Sequence, residues 1–268
     1  MPYDTLRLSS SAGIATLTFN RPEKRNAISP QMIDELLAAL DEIEHSAAGV
    51  AILTGAGKAF CSGMDLEALK ALAQESAEPG SAAAGHSALE SSRRMAVMFR
   101  RIYDFPKPLI AAVNGPAIAG GCGLATLCDF TLAVPEAKFG YTEVRIGFVP
   151  AIVSVFLIRQ IGEKQARDLL LTGRIVDAQE AWRLGLVNEI VPPERLMERA
   201  RELADQLLAN SPTSLAHTKR VLSALSKPEI DRALDLAVEE NARIRSTPDF
   251  REGLAAFLEK RRANWRRE

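Results

Sequence analysis

Three short stretches of the chain hold residue types that could do chemistry together. Two are glycine loops: TGAGKAFCSGMDL at 54–66, after the apolar run VAIL, and NGPAIAGGCGLATLCDF at 114–130, after LIAAV. The third, KFGYTEVRIGFVP at 138–150, sets one carboxylate, Glu143, among Tyr141, Val144, Ile146 and Phe148. Glycine where a helix should begin means that the backbone comes close to something, or turns in a way that a Cβ forbids. The first N–H groups of a helix have no partner within it. Two such loops, set side by side by parallel strands, can aim two N–H groups at one oxygen. That arrangement stabilises a developing oxyanion, and losing one donor costs roughly 3–4 kcal/mol. A carboxylate in apolar company gains affinity for protons, which suits it to acid–base work.

Competing uses of these residues are weaker. GAGKAF lacks the first glycine spacing of a P-loop and has Ala59 where a hydroxyl should meet magnesium. Gly121 to Thr126 nearly fits a dinucleotide fingerprint, but it starts several residues after its strand and ends in threonine. The plain alternative for Glu143 is an ion pair with Arg145. Asp65 reads as the cap of the next helix, Asp129 as fixing the end of a helix, and Cys61 and Cys122 as packing thiols. His45, His86 and His217 are scattered and form no triad or metal-ligand pattern, so no metal is expected.

The elements that must position these groups follow from the hydrophobic pattern. TLRL at 5–8 and IATLTF at 14–19 read as a hairpin. Ser29-Pro30 starts a helix whose apolar positions run from Met32 to Ile43. VAILTG, KPLIAAVNG, DFTLAV and GLVNEIV read as buried strands with helices between them, an α/β architecture with ligand loops at strand ends. Residues 74–88 predict a mobile loop or frayed helix. Beyond Pro192 the pattern is helical: from Pro193, then 212–225, 228–245 and 248–262. The expected division is therefore 1–192 as a catalytic core and 193–268 as a helical region.

Composition sets further bounds. The 268 residues are 47% hydrophobic and 25% charged, ordinary for a soluble globular chain, with a net charge of −1. No general attraction to nucleic acid or an anionic membrane follows from that balance. Three cysteines without metal-like spacing read as reduced thiols, which points to a cytoplasmic setting. The first ten residues lack the pattern of a signal peptide, and no run approaches a membrane span.

Taken together, NRPEKRNAIS, LTGAGKAFCSGMDL, AAVNGPAIAGGCGLATLCDF, KFGYTEVRIGFVPA, LLLTGRIVDAQEAWRLGLVNEIVP and EGLAAFLEKR resemble the crotonase superfamily, the enoyl-CoA hydratases and isomerases, in order and spacing over essentially the whole chain. The resemblance implies a superhelix of ββα turns with a C-terminal helical trimerisation region, trimers commonly pairing into hexamers. It implies an acyl-CoA thioester substrate, with coenzyme A as part of that substrate and no separate cofactor. It assigns the oxyanion donors to the N–H groups of Met64 and Gly120, and acid–base work to Glu143. It lays Arg25, Ala27, Lys58 and Ala59 along the CoA path, Leu66 near the pantetheine, and Phe257 and Lys260 at CoA from the same or a neighbouring subunit. The basic tail RRANWRRE could add phosphate contacts.

One departure is informative. Two-glutamate hydratases carry an acid in the second loop at the position of Gly123, and this chain has none there. A single carboxylate suits hydration of a 2-enoyl-CoA, the preferred reading, or a 3-enoyl to 2-enoyl shift, the alternative. Glu90 is a speculative second acid. A non-catalytic CoA- or RNA-binding relative is a weaker alternative, disfavoured by the neutral charge balance and the retained Glu143.

Overall fold

The protein was analysed as a computed structural model that describes residues 3–75 and 82–265. The chain opens with β1 (Leu6–Ser11) and β2 (Ile14–Phe19), an antiparallel hairpin in the register Leu6 to Phe19. Ser29 then caps α1 (Pro30–His45), its hydroxyl accepting from Met32 N at 3.1 Å, with Pro30 in the first turn. The chain continues through β3 (Val50–Gly55), α2 (Leu66–Glu75), α3 (Ala82–Tyr103) and β4 (Leu109–Val113). Next come β5 (Ala117–Ile118), α4 (Gly120–Thr126), β6 (Phe130–Ala133) and β7 (Lys138–Gly140). A 3-10 turn at Glu143–Ile146 leads into α5 (Ala151–Thr172), β8 (Ile175–Asp177), α6 (Ala178–Arg183) and β9 (Glu189–Ile190). Three helices close the described chain: α7 (Leu196–Leu208), α8 (Pro212–Arg243) and α9 (Pro248–Leu258).

The main sheet has the order β1-β2-β3-β4-β6-β9, and all its pairings after the first are parallel. Its central strands, LIAAV and nearly all of VAILTG, are buried throughout, as parallel strands covered on both faces must be. A second sheet, β5-β7-β8, stands beside it. Both glycine loops leave the same end of β3 and β4, which are hydrogen-bonded neighbours. That adjacency brings them together.

Three sequence expectations need correction. The two helices expected at 212–225 and 228–245 are one 32-residue helix, α8 (Pro212–Arg243), that runs through Pro228. Residues flanking the proline are largely exposed, so solvent can serve a carbonyl that loses its donor, and packing on α3 and α5 holds both halves in line. The strand expected over 185–191 shrinks to Glu189–Ile190. The second sheet was not foreseen, because its two- and three-residue strands are too short to show a period. Of the expected mobile loop at 74–88, the stretch 76–81 lies outside the described residues, and 82–88 belong to α3. Among the described residues, no helix is long and apolar enough to cross a membrane, and no cluster could hold a metal ion.

Candidate active site

The first loop is held by Asn26, a fully buried side chain. Its amide nitrogen donates to the carbonyls of Ala56 (2.9 Å) and Ala59 (2.8 Å), and its oxygen accepts from Arg21 N at 2.9 Å. A parallel bridge then joins Ile28 to Met64. It uses Ile28 N to Gly63 O (2.7 Å) and Asp65 N to Ile28 O (2.9 Å). In such a ladder the groups of the intervening residue face the other way, so the N–H of Met64 points away from Ile28. Asp65 ends the loop as a cap, accepting from Glu67 N at 2.8 Å and pairing with Arg21 at 2.7 Å.

The second loop docks onto the first along its backbone. Ile118 N donates to Cys61 O at 2.9 Å, and Cys61 N donates to Pro116 O at 3.2 Å. A Cβ on Gly121 would strike the carbonyl of Cys61 and lie 2.8 Å from its Cβ. The sharp turn into α4 is made elsewhere: Ala119 carries φ 52° and ψ −125°, fixed by its N–H donating to Gly140 O at 2.7 Å. A side chain in that region costs about 1–3 kcal/mol and persists only where its surroundings dictate it. Of the two uses of glycine that the sequence left open, Gly121 answers to close approach, while an alanine makes the turn and bears its strain. Among the described residues, neither Met64 N nor Gly120 N donates to another group.

Glu143 opens the 3-10 turn after β7. A Cβ on Gly147, at the end of that turn, would run into the carbonyl of Asp249, so α9 closes tightly over the segment. Among the described residues, Glu143 Oε2 is buried without a hydrogen-bond partner, and no ion pair with Arg145 forms. Burial pushes its carboxyl up to about 7, only partly opposed by a hydrogen bond from its own backbone. Met64, Gly120 and Glu143 all line one cavity of about 310 Å³, walled mainly by apolar side chains such as Ile28, Met95, Phe99, Phe148 and Val153. Two unpaired N–H groups and one proton-hungry carboxylate in an apolar cavity can polarise a carbonyl and move a proton beside it.

The remaining expected residues fall in several places. Phe257 lines the same cavity from α9. Ala27 and Ala59 are buried in the first loop region, and Arg25, Lys58 and Lys260 are exposed. Leu66 is the first residue of α2. Gly123 is buried, and a Cβ there would lie 2.8 Å from Val153 Cγ1 and 2.9 Å from Phe99 Cε1. A side chain at position 123 would thus meet two apolar side chains. Glu90 and His86 are exposed on α3 and do not line the cavity. Asp129 ties down β4 and α8 rather than a helix end, accepting from Leu109 N (2.7 Å) and pairing with Lys219. The cysteines are free and buried, and burial pushes the Cys61 and Cys122 thiols up to about 12, which leaves them unreactive. Arg261 of the basic tail pairs with Glu252 at 2.6 Å and with Glu259 at 2.6 Å, and residues 266–268 lie outside the described residues.

Sequence reasoning did not single out the residues of the α3 wall. Ser87, Ser91, Met95 and Phe99 recur every four residues and all line the cavity. That spacing was visible, but it is also the spacing of any buried helix face.

The chain is similar to known proteins over nearly its whole length. Residues 9–268 match the profile of the family described as Enoyl-CoA hydratase/isomerase. A provisionally named enoyl-CoA hydratase of Thermus thermophilus is 47% identical over 92% of this chain and 95% of its own length. The crotonyl-CoA hydratase of Syntrophomonas wolfei is 35% identical, with 99% of each chain covered. Among solved structures, an enoyl-CoA hydratase/isomerase from Xanthobacter autotrophicus superposes with a TM-score of 0.84 at 34% identity, covering 97% of each chain.

Proposed function

Because the chain belongs to the enoyl-CoA hydratase/isomerase family, we propose that it adds water across the 2,3 double bond of a 2-enoyl-CoA with Glu143 as its one acid–base group. The observation that carries this reading is the convergence of Glu143, Met64 and Gly120 on a single apolar cavity. The thioester oxygen sits between the N–H groups of Met64 and Gly120. Charge drawn into those donors makes C3 electrophilic. Glu143, as carboxylate, takes a proton from the water that attacks C3, and the resulting acid returns a proton to C2. One group performs both steps best when its pKa lies near the working pH, and a value of about 7 meets that demand.

The second reading, a 3-enoyl to 2-enoyl shift, draws support from Phe99 and Val153, which a side chain at position 123 would meet. There Glu143 would carry a proton from C2 to C4. One assay separates the two. Crotonyl-CoA in heavy-oxygen water is expected to gain label at C3; absence of label together with conversion of a 3-enoyl-CoA would replace hydratase by isomerase. In the same assay, kcat/KM should fall about tenfold per pH unit below about pH 7, as the base becomes protonated. A profile flat down to pH 5 would remove Glu143 as the base.

Arg25, Ala27, Lys58, Ala59, Leu66, Phe257 and Lys260 are assigned to the CoA path, and the coenzyme arrives on the substrate, so no separate cofactor is needed. The reaction is placed in the cytoplasm, with residues 193–268 assembling trimers or hexamers of the 1–192 core. Exposed Val221, Leu222, Leu225 and Leu236 on α8 support that assembly. Sedimentation of the full chain should give a trimer or its double, and a monomer would remove the assignment.

A further inference from the structure

Hydration with a single carboxylate leaves the attacking water short of a partner. As the water meets C3, one of its O–H groups gives its proton to Glu143. The second O–H needs an acceptor if the lone pair is to stay aimed at carbon. A water held inside a protein commonly makes about three hydrogen bonds. Gly123 has no side chain to supply one, and a side chain there would run into Val153 and Phe99. The acceptor must come from another part of the wall.

Thr142 stands directly before Glu143 in the chain, and both half-buried residues line the cavity. Thr142 occupies the N-cap position of the 3-10 turn that Glu143 opens, where a hydroxyl usually accepts from the first N–H groups. Its backbone, at φ −96° and ψ 6°, is not the extended form that capping uses, and its side chain makes no cap bond. The carbonyl alone serves the turn, accepting from Arg145 N at 3.0 Å. Among the described residues, the Thr142 hydroxyl has no hydrogen-bond partner. Its one donor and two lone pairs remain for a guest. The other hydroxyls of the cavity are committed or stand elsewhere. Ser29 caps α1. Ser62 belongs to the first loop, two residues before Met64. Ser87 and Ser91 lie on α3 about two to three turns before Phe99, whose ring adjoins Gly120.

We propose that Thr142 is the second holder of the attacking water, its Oγ accepting one O–H while Glu143 accepts the other. A neutral hydroxyl then does the orienting work of a second acid. The inference rests on the hydratase reading. Thr142 keeps its own proton throughout. The O–H it accepts from stays on the new C3 hydroxyl, and the proton taken by Glu143 goes to C2. One C–O and one C–H bond form as the π bond between C2 and C3 breaks.

The test compares the unaltered protein with Thr142→Val and Thr142→Ser on crotonyl-CoA. Valine keeps the shape and removes the hydroxyl, so kcat is expected to fall about 10–100-fold as the reacting water loses its aim. Serine restores the hydroxyl and should turn over at least about fivefold faster than valine. A second readout separates holding the water from supporting the turn. Exchange of the C2 hydrogens of butyryl-CoA in deuterium oxide uses the two N–H donors and Glu143 but no attack of water on carbon. Thr142→Val should slow that exchange far less than it slows hydration. If both reactions slow alike, Thr142 only holds Glu143 in place, and the proposal falls. It also falls if the valine and serine variants are equally slow, or if Thr142→Val hydrates as fast as the parent. Each of these results leaves the hydratase reading standing. Failure of the unaltered protein to hydrate either crotonyl-CoA or oct-2-enoyl-CoA rejects that reading, and this inference with it.

Discussion

Glu143→Gln is expected to slow hydration by about 10⁴-fold, the upper end of what one acid–base group supplies, because here a single carboxylate handles both proton steps. Thioester binding should survive, since the donors at the carbonyl are main-chain N–H groups that the substitution leaves in place. Acetyl-CoA should therefore raise the melting temperature of the variant as it does that of the parent. The variant should also be more stable at pH 8. The folded carboxyl is raised from 4.5 to about 7, so between those values the folded state holds more protons than the unfolded one. Stability then falls as pH rises through that window and stays low above it. Glutamine removes the penalty, so the gain should be present at pH 8 and absent at pH 4, where the acid is protonated in both states. Turnover within tenfold of the parent would show that another group does the chemistry. An unchanged melting temperature at pH 8 would show that the buried carboxyl costs the fold nothing.

The parts of this site that could be read before folding are those where one residue type answers one local demand. Ser29-Pro30 starts α1, the expected hairpin forms with its first strand running on to Ser11, and Asp65 caps α2. The two glycine loops were legible as a pair because each follows a strong apolar strand, and parallel neighbours must end at the same edge of the sheet. What stayed hidden depends on long-range approach. No local pattern says that Asn26 will bind two carbonyls about thirty residues away, or that Ala119 will bear a left-handed turn held by Gly140. The absence of an acid at Gly123 was plain in the sequence. That Phe99 and Val153 would crowd a side chain at that position was not, since they come from elements 24 and 30 residues away in opposite directions.

Gly121→Ala should cost turnover roughly 10²–10³-fold, the effect of disabling one oxyanion donor, although Gly121 makes no contact with the substrate in the proposed mechanism. The added Cβ would meet the Cys61 carbonyl, which belongs to the other loop. That carbonyl cannot swing aside without breaking the 2.9 Å hydrogen bond from Ile118 N, two residues before the N–H group of Gly120. The loops must therefore part, and the two donors are displaced relative to each other. Shifts near 1 Å in such a constellation cost about 100-fold. Overpacking of this kind also lowers stability by about 1–3 kcal/mol, so a control is needed that separates a weakened fold from a spoiled site. Gly85 supplies it. It lies in α3 with open space around the position of a Cβ, so Gly85→Ala should be neutral or stabilising by up to about 1 kcal/mol through helix propensity. The decisive comparison is kcat at a temperature where all three proteins are folded. If Gly121→Ala then turns over like the parent, the distance between the loops does not set the geometry of the donors, and an oxyanion site shared between Met64 and Gly120 is untenable. If only Gly121→Ala is slow, the spacing of two backbone strands, fixed by the absence of one methyl group, controls the chemistry.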